Sequence, residues 1–466
     1  MQKNHRWFCW FMIGFAAVGG ILYGYDIGII AGAILFIRET IPMTDAQSSI
    51  LVGAVLGGGA IATLISGTLA DFFGRRKMII AAALIFLFGA FLLSFAHTYA
   101  GILIGRLTQG VGVGIVTIII PLYLAESLPA DVRGRGITAF QLLLTFGILV
   151  ATLVGLYFTP TENWRGMFLS TAVPGFILLI GSLLLPNSPR WLFYKGRTDK
   201  ALQVLLKSRE HVHAQFELEK MHTLILQEKN NAKNLWAFLC NKQYLKPILL
   251  VMVIAAVSQI MGINSILQFS AYILKHGGLS ANITAMLGST VITSVNFLFT
   301  VIAFLLIDRI GRKFLLNMGT AGCTLSLLFL SCVYYFVPLS EIKGFLLLVG
   351  LVSFIIFFAV GPGVCIWLIL SELLPARVRS SGMSIALFVN SMTSTLFASS
   401  FLPLVKHIGY DGVFLVCAIA GGIYYSLSYY FVPETKDKTL EEIEMGFASL
   451  SEHETRTAES LRSLAG

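Results

Sequence analysis

Charge is scarce in this sequence, and the scarcity excludes most of what a chain of 466 residues could be. Asp, Glu, Lys and Arg together make up 12% of it, about half the share found in a soluble domain. Cysteine is sparse too. Cys9, Cys240, Cys323, Cys332, Cys365 and Cys417 form no C-x-x-C pair and mostly lie in apolar runs, so neither a disulfide framework nor a metal site is expected. The chain also lacks a nucleophile–base constellation and a phosphate-binding glycine loop. No enzyme chemistry and no cofactor are therefore expected. The net charge of +9 sits in alternate short loops rather than in one patch, which argues for membrane topology and against nucleic acid.

What fills the space between the charges is apolar sequence, 56% of the chain. It comes in uncharged runs of about 18 residues or more, long enough to cross a bilayer as helix. The runs are 7–36, 50–70, 78–96, 100–125, 136–158, 165–185, 247–274, 283–307, 314–337, 344–371, 381–404 and 412–432. The expected fold is an all-α membrane protein of twelve transmembrane helices, with the lipid bilayer as its solvent. The first run starts at Trp7 and is too long for the core of a cleavable signal peptide. Arg75, Arg76, Lys77, Arg133, Arg135, Arg309, Arg312, Lys313, Arg377 and Arg379 carry most of the basic charge of the short loops. They place both termini and the long segment 186–246 in the cytoplasm. Within that segment, Thr198–Arg209 has a cap-like start and an amphipathic pattern. Phe216–Lys229 is similar, so short linker helices are expected.

The chain repeats itself. "DFFGRRK" (Asp71–Lys77) returns as "DRIGRKF" (Asp308–Phe314), with Asp71 and Asp308 237 residues apart. "PLYLAESLPADVRGRG" matches "WLILSELLPARVRSSG", pairing Glu126 with Glu372 and Arg133 with Arg379 at a spacing of 246. Two halves of six spans therefore carry the same charged turns, the pattern of transporters whose halves rock about a central site. In D-x-x-G-R the glycine permits a tight turn between helices. The arginines, Arg75, Arg76 and Arg312 among them, can bond helix C-terminal carbonyls and neighbouring acids. Such clusters either latch the halves together or serve only as topology determinants.

Taken in order, "GYDIGIIAG", "DFFGRRK", "GRLTQGVGVG", "PLYLAESLPADVRGR", "PNSPRWL", "GIN", "DRIGRK", "GPGVCIW" and "PETKDKTLEEIE" resemble the sugar porter family of the major facilitator superfamily over residues 8 to 447. The resemblance implies two six-helix bundles, residues 1–185 and 247–433. A cytoplasmic helical linker (186–246) would join them and a cytoplasmic tail (434–466) would follow. It adds Arg190 and Glu434 to the cytoplasmic charge network and implies a multi-pass protein of the cytoplasmic (inner) membrane, functional as a monomer.

Two charges lie deep in the spans, Asp26 and Arg106. Intramembrane charges are costly and usually functional. By helical rise Asp26 lies about 18 Å and Arg106 about 10 Å below the outer surface, close enough to meet. Burial and a neighbouring guanidinium act in opposite directions on how tightly a carboxylate holds a proton. A separation that changes as the halves rock would thus couple proton to substrate. A static ion pair is the alternative. The resemblance supports coupling, because proton-linked bacterial members carry Asp at the position of Asp26 and facilitators a neutral residue. In the second half "GIN" (262–264) stands where "GYD" (24–26) stands in the first.

The resemblance also assigns sugar contacts to Gln141, Gln259, Asn264, Gln268, Asn296, Trp367 and Asn390. Amides supply the donors and acceptors, and the indole supplies an apolar face for the ring. Interhelical hydrogen bonding is the bland alternative for the amides. The match departs from the family at Ser258, Gln268, Ile148, Ser391, Tyr23, Asn187, Asp437 and Lys438. These departures keep a polyol-like site while opening the choice to a hexose, pentose, deoxy sugar or cyclitol. The expected activity is symport of such a sugar with protons. Facilitative uniport is the alternative within transport, and a non-transporting sugar receptor is the alternative of another class. The short sequence after Pro433 holds no signalling domain of the kind a receptor would be expected to carry. Trp367→Ala is expected to weaken every accepted sugar alike, as read by a ligand-induced thermal shift across a sugar panel. An unchanged shift for the best ligand would make Trp367 a packing residue.

Overall fold

Lipid offers no hydrogen bonds, so each apolar run must satisfy its own backbone, and helix is the form in which one segment does so alone. The computed structural model of the chain describes residues 3–231, 242–366, 373–374 and 379–432. Among the described residues, eleven helices are long and apolar enough to cross a membrane. The last of them, Arg379–Phe431, is two helices divided at Gly409 (φ 73°, ψ 169°), which brings the count to the expected twelve.

The first five spans are α1 (Lys3–Thr40), α2 (Asp45–Phe73), α3 (Arg75–Ser94), α4 (Tyr99–Ser127) and α5 (Ala130–Phe158). The sixth is broken at Thr171 into α6 (Trp164–Ser170) and α7 (Ala172–Leu184). The linker follows as α8 (Pro189–Tyr194), α9 (Thr198–Ser208) and α10 (His211–Asn231). The seventh span is broken at Gly262 into α11 (Lys242–Ile260) and α12 (Ile263–His276). Next come α13 (Asn282–Ile310), α14 (Arg312–Phe336), α15 (Glu341–Val360) and α16 (Arg379–Phe431). Helix α15 stops at Gly361 and helix resumes over 362–366, where the Gly-Pro-Gly sequence anticipates an interruption.

Local chemistry marks several of the ends. Thr44 and Gln47 form a reciprocal capping box at the start of α2. Thr98, Asn163 and Ser340 cap α4, α6 and α15 by accepting the backbone N–H three residues on. One cap expected from sequence is corrected. Thr198 is the first helical residue of α9, and Arg197 holds the cap position without a side-chain bond. The reversal there comes instead from Gly196, at φ 71°.

The repeated D-x-x-G-R motif folds the same way twice. Gly74 (φ 93°, ψ 150°) ends α2 and starts α3, and Gly311 (φ 102°, ψ 151°) does so between α13 and α14. That backbone region is open essentially to glycine alone. Elsewhere small residues bring helices together. On α4, Gly110 faces the Val55 carbonyl and Gly114 the Gly59 carbonyl of α2, with no room for a Cβ at either.

The two bundles meet at the end of the molecule remote from the linker. There Leu402 N donates to Ser49 Oγ (2.9 Å), and Gly53 and Gly57 lie against Ser399 and Thr395. The Thr152 and Thr293 hydroxyls bond at 2.7 Å. Arg38 Nη1 reaches Asp45 in its own bundle (2.8 Å) and the Tyr272 hydroxyl of the other (3.2 Å). At the linker end, a cavity of about 250 Å³ opens between α4, α8 and α10.

A Cβ built on Gly74 would stand 3.0 Å from the Trp191 indole, so position 74 is constrained by both space and handedness. Gly74→Ala is expected to lower stability by about 1–3 kcal/mol. Gly67→Ala, on the same helix with nothing within 4 Å, is the control and is expected to cost nothing. Thermal unfolding of the detergent-solubilised variants checks both.

Candidate functional site

Three groups of polar residues lie inside or at the edge of this apolar frame. The first is the ion pair. Asp26 on α1 and Arg106 on α4 are both wholly inaccessible to solvent, and Arg106 Nη1 donates to Asp26 Oδ1 at 2.8 Å. The meeting expected from helical rise is therefore observed. The pair is single-pronged. Asp26 Oδ2, Arg106 Nε and Arg106 Nη2 have no hydrogen-bond partner among the described residues. Arg106 Nη1 also lies 3.4 Å from Gln109 Oε1, and its guanidinium stands 5.8 Å from the centre of the Phe168 ring. Sequence reasoning misses Gln109 and Phe168, although Gln109 stands in plain view as the one amide of the fourth span.

The second group is an amide network in the other bundle. Gln259 Nε2 donates to Asn390 Oδ1 (2.9 Å), and Asn264 Nδ2 donates to Gln259 Oε1 (3.0 Å) and to Ser394 Oγ (2.8 Å). The break at Gly262 (φ 87°) is what makes this possible. It turns α12 off the axis of α11, so residues five apart, Gln259 and Asn264, face each other. Three of the predicted sugar contacts thus converge, with Ser394 as a fourth member that sequence reasoning misses. Gln268 and Asn296 are buried and Gln141 half-buried, but no hydrogen bond joins them to the network among the described residues. Gln268 Nε2 has no hydrogen-bond partner among the described residues. Trp367 lies outside the described residues. Between the bundles, Tyr23, Gly59, Thr63, Thr117 and Ser391 line a small mid-span cavity.

The third group sits at the linker end. Arg75 Nη2 bridges Glu126 (2.8 Å) and Asp71 (2.9 Å), while Arg75 Nη1 donates to the Ala70 carbonyl (3.1 Å). Arg76 caps the end of α7, donating to the Ser182 and Leu183 carbonyls. Both arginines do what the motif anticipates. Ser188 is a member that the motif does not anticipate. Its hydroxyl donates to Glu126 Oε2 and accepts the Trp191 N–H as the cap of α8. The Trp191 indole N–H in turn donates to the Asp71 carbonyl (3.1 Å). Arg190 lies over the Tyr194 ring and lines the cavity beside Glu126. This cluster ties α2, α3 and α4 to linker helix α8. Glu372 and Glu434 lie outside the described residues, as do the side chains of Arg133, Asp308 and Arg379. Arg312 starts α14 directly after the Gly311 turn.

Comparison with known proteins agrees with this arrangement. The family model for "Sugar (and other) transporter" matches residues 12–447. The glucose transporter GlcP of Staphylococcus epidermidis is 35% identical over 93% of this chain and 96% of its own. The arabinose-proton symporter of Escherichia coli is 32% identical over 92% and 91%. The solved structure of the proton:xylose symporter XylE superposes with a TM-score of 0.77 at 26% identity, covering 94% of this chain and 99% of that one. The repeated charged turns, the twelve helices in two bundles and these matches along nearly the whole length lead to one conclusion: the chain belongs to the sugar porter family of the major facilitator superfamily, a family of membrane transporters and not of enzymes.

Proposed function

We propose that this chain is a proton-coupled symporter of a monosaccharide or related polyol, working by alternating access in the cytoplasmic (inner) membrane. The observation that carries the coupling is the form of the Asp26–Arg106 pair. A buried ion pair that only braces helices gains from satisfying every donor and acceptor, since each unmet group in a dry interior is costly. Here the two side chains share one bond, Arg106 adds only a longer one to Gln109, and three further polar atoms lack a protein partner among the described residues. Such a pair is suited to exchanging partners. When Asp26 takes a proton, the attraction to Arg106 falls and α1 and α4 are free to shift. When the proton leaves, the pair re-forms. Relatives bearing the names arabinose-proton symporter and proton:xylose symporter support the same reading.

Sugar binds, in this proposal, against the Gln259–Asn264–Asn390 network of the second bundle, with Gln141, Gln268, Asn296 and Trp367 completing the contacts. The first bundle (1–185) handles the proton and the second (247–433) the sugar. The linker (186–246), the tail (434–466) and both termini are cytoplasmic, and a monomer suffices. The far-end contacts close the outer face. The charge cluster at the linker end stiffens the cytoplasmic ends of α2, α3 and α4 and, with its counterparts in the second half, latches the bundles when the inner side closes.

Two measurements test these roles. Wild-type protein in proteoliposomes is expected to accumulate its sugar when the outside is acid. Asp26→Asn is expected to retain sugar binding and exchange but to accumulate none beyond equilibration. A wild type that never concentrates sugar under a pH gradient would make the protein a uniporter. A variant that still does so would acquit Asp26 as the coupling group. Ser394→Ala removes one of the two acceptors of Asn264 and is expected to weaken sugar affinity about fivefold, the worth of one hydrogen bond. Calorimetric titration reads that change, and unchanged affinity would separate Ser394 from the sugar site.

A further inference from the structure

Gln109 is unusual in its surroundings. It is wholly buried in α4, three residues from Arg106, in a span that is otherwise apolar on that side. Room for it is made by Gly89 of α3, where a Cβ would come within 2.8 Å of Gln109 Cγ. Its orientation follows from hydrogen-bond chemistry. Thr171, at the break between α6 and α7, donates its single hydroxyl hydrogen to the Phe168 carbonyl (2.6 Å). Its oxygen can then only accept, and it accepts from Gln109 Nε2 (3.1 Å). With the amide nitrogen held that way, the carboxamide oxygen faces Arg106 Nη1 at 3.4 Å. The same Nη1 donates to Asp26 at 2.8 Å, so one donor stands between a near carboxylate and a slightly remote amide oxygen.

We propose that Gln109 is a positioning residue for the coupling pair: it is the second acceptor for Arg106 Nη1, taking over that donor when Asp26 is protonated, with Thr171 holding its carboxamide in the receiving orientation. The step is a change of partner and a proton uptake only. A proton adds to Asp26, Arg106 keeps its charge, and Arg106 Nη1, which carries two hydrogens, draws away from Asp26 Oδ1 and shortens the 3.4 Å bond it already makes to Gln109 Oε1. Without Gln109 the protonated state strands a guanidinium donor in a dry interior and becomes harder to reach. Arg106, from α4, is the charged group bonded to Asp26, and Tyr23 and Tyr25 are the titratable residues nearest it along its own helix. The other ionisable residues of α4, Tyr99, Tyr123 and Glu126, lie toward its two ends. Of the other elements packed on α1, α7 carries no charged residue. In α5, Asp131, Arg133 and Arg135 belong to the first turns and Tyr157 to the last. Tyr272, Lys275 and His276 lie in the last turns of α12, Arg165 starts α6, and Asp308 and Arg309 end α13. The ionisable residues of α9, with Lys207 among them, lie in the linker.

This inference rests on the coupling role proposed for Asp26, and two readouts keep the two apart. In proteoliposomes, Gln109→Leu is expected to move the pH of half-maximal gradient-driven uptake about one unit toward acid, the size of shift one charge-assisted hydrogen bond gives. Thr171→Val, which keeps the shape and removes the acceptor, is expected to move it the same way by less. A pH profile unchanged in both variants, with a wild type that responds to pH, overturns the proposal. The second readout needs no transport. Asp26→Asn mimics the protonated carboxyl, so Gln109→Leu is expected to lower the melting temperature more when combined with Asp26→Asn than when made in wild type. Equal or smaller losses in the combination overturn the proposal even if the wild type proves to be a uniporter. A larger loss upholds the partner exchange independently of coupling.

Discussion

A charge in lipid has no water to lean on, and the internal organisation of this protein follows from that. Arg106 must find its acceptors among protein atoms, and the chain provides a carboxylate from α1 and an amide from its own helix, with Thr171 of the α6–α7 break fixing the amide. Amides obey the same constraint less stringently. In the second bundle Gln259, Asn264 and Asn390 satisfy one another, with Ser394 closing the set. Toward the linker, where solvent returns, the rule relaxes into a gradient. Glu126 is nearly buried and paired on both oxygens, whereas Asp71 shares the same arginine with its own side chain 72% exposed. The amide network gathers at the break of its span at Gly262 and Gln109 is held from the break at Thr171, whereas Asp26 and Arg106 meet side chain to side chain across two unbroken helices.

Much of this could be read directly. The twelve spans follow from uncharged run length, and the two D-x-x-G-R turns from the need for a glycine between antiparallel helices. The Asp26–Arg106 encounter follows from counting rises along two antiparallel spans. What could not be read is which way a side chain points around its helix. A soluble helix announces its inner face by apolar periodicity, but spans here are apolar on all sides, so Ser394, Gln109 and Thr171 carry no such label. The break at Thr171 does have a signal in "LSTAVPG", where Pro174 has no N–H to give the Ser170 carbonyl and its ring crowds it. Ser188 differs. A serine before proline at a helix start signals a cap, and the cap was legible where its second bond, to Glu126 more than sixty residues away, was not.

The two halves share sequence and differ through small departures. At one repeat position the first half sets a carboxylate and the second an amide, Asp26 and Asn264. The glycines two residues earlier have diverged in a different sense. Gly24 lies in an unbroken helix pressed against the Leu144 carbonyl of α5, whereas Gly262 takes a left-handed conformation and breaks its span.

That divergence means the same amino acid is required twice for unrelated reasons. At position 24 the requirement is volume. A Cβ there would stand 1.8 Å from the Leu144 carbonyl oxygen of α5. At position 262 the requirement is chirality, because the backbone sits at φ 87° with its nearest side-chain neighbour 3.2 Å from a built Cβ. A mirror-image alanine would suit the left-handed backbone of the second site, where the ordinary one is strained. One of these glycines works as a spacer and the other as a hinge of fixed hand, although an alignment of the two halves would print them as a single conserved column.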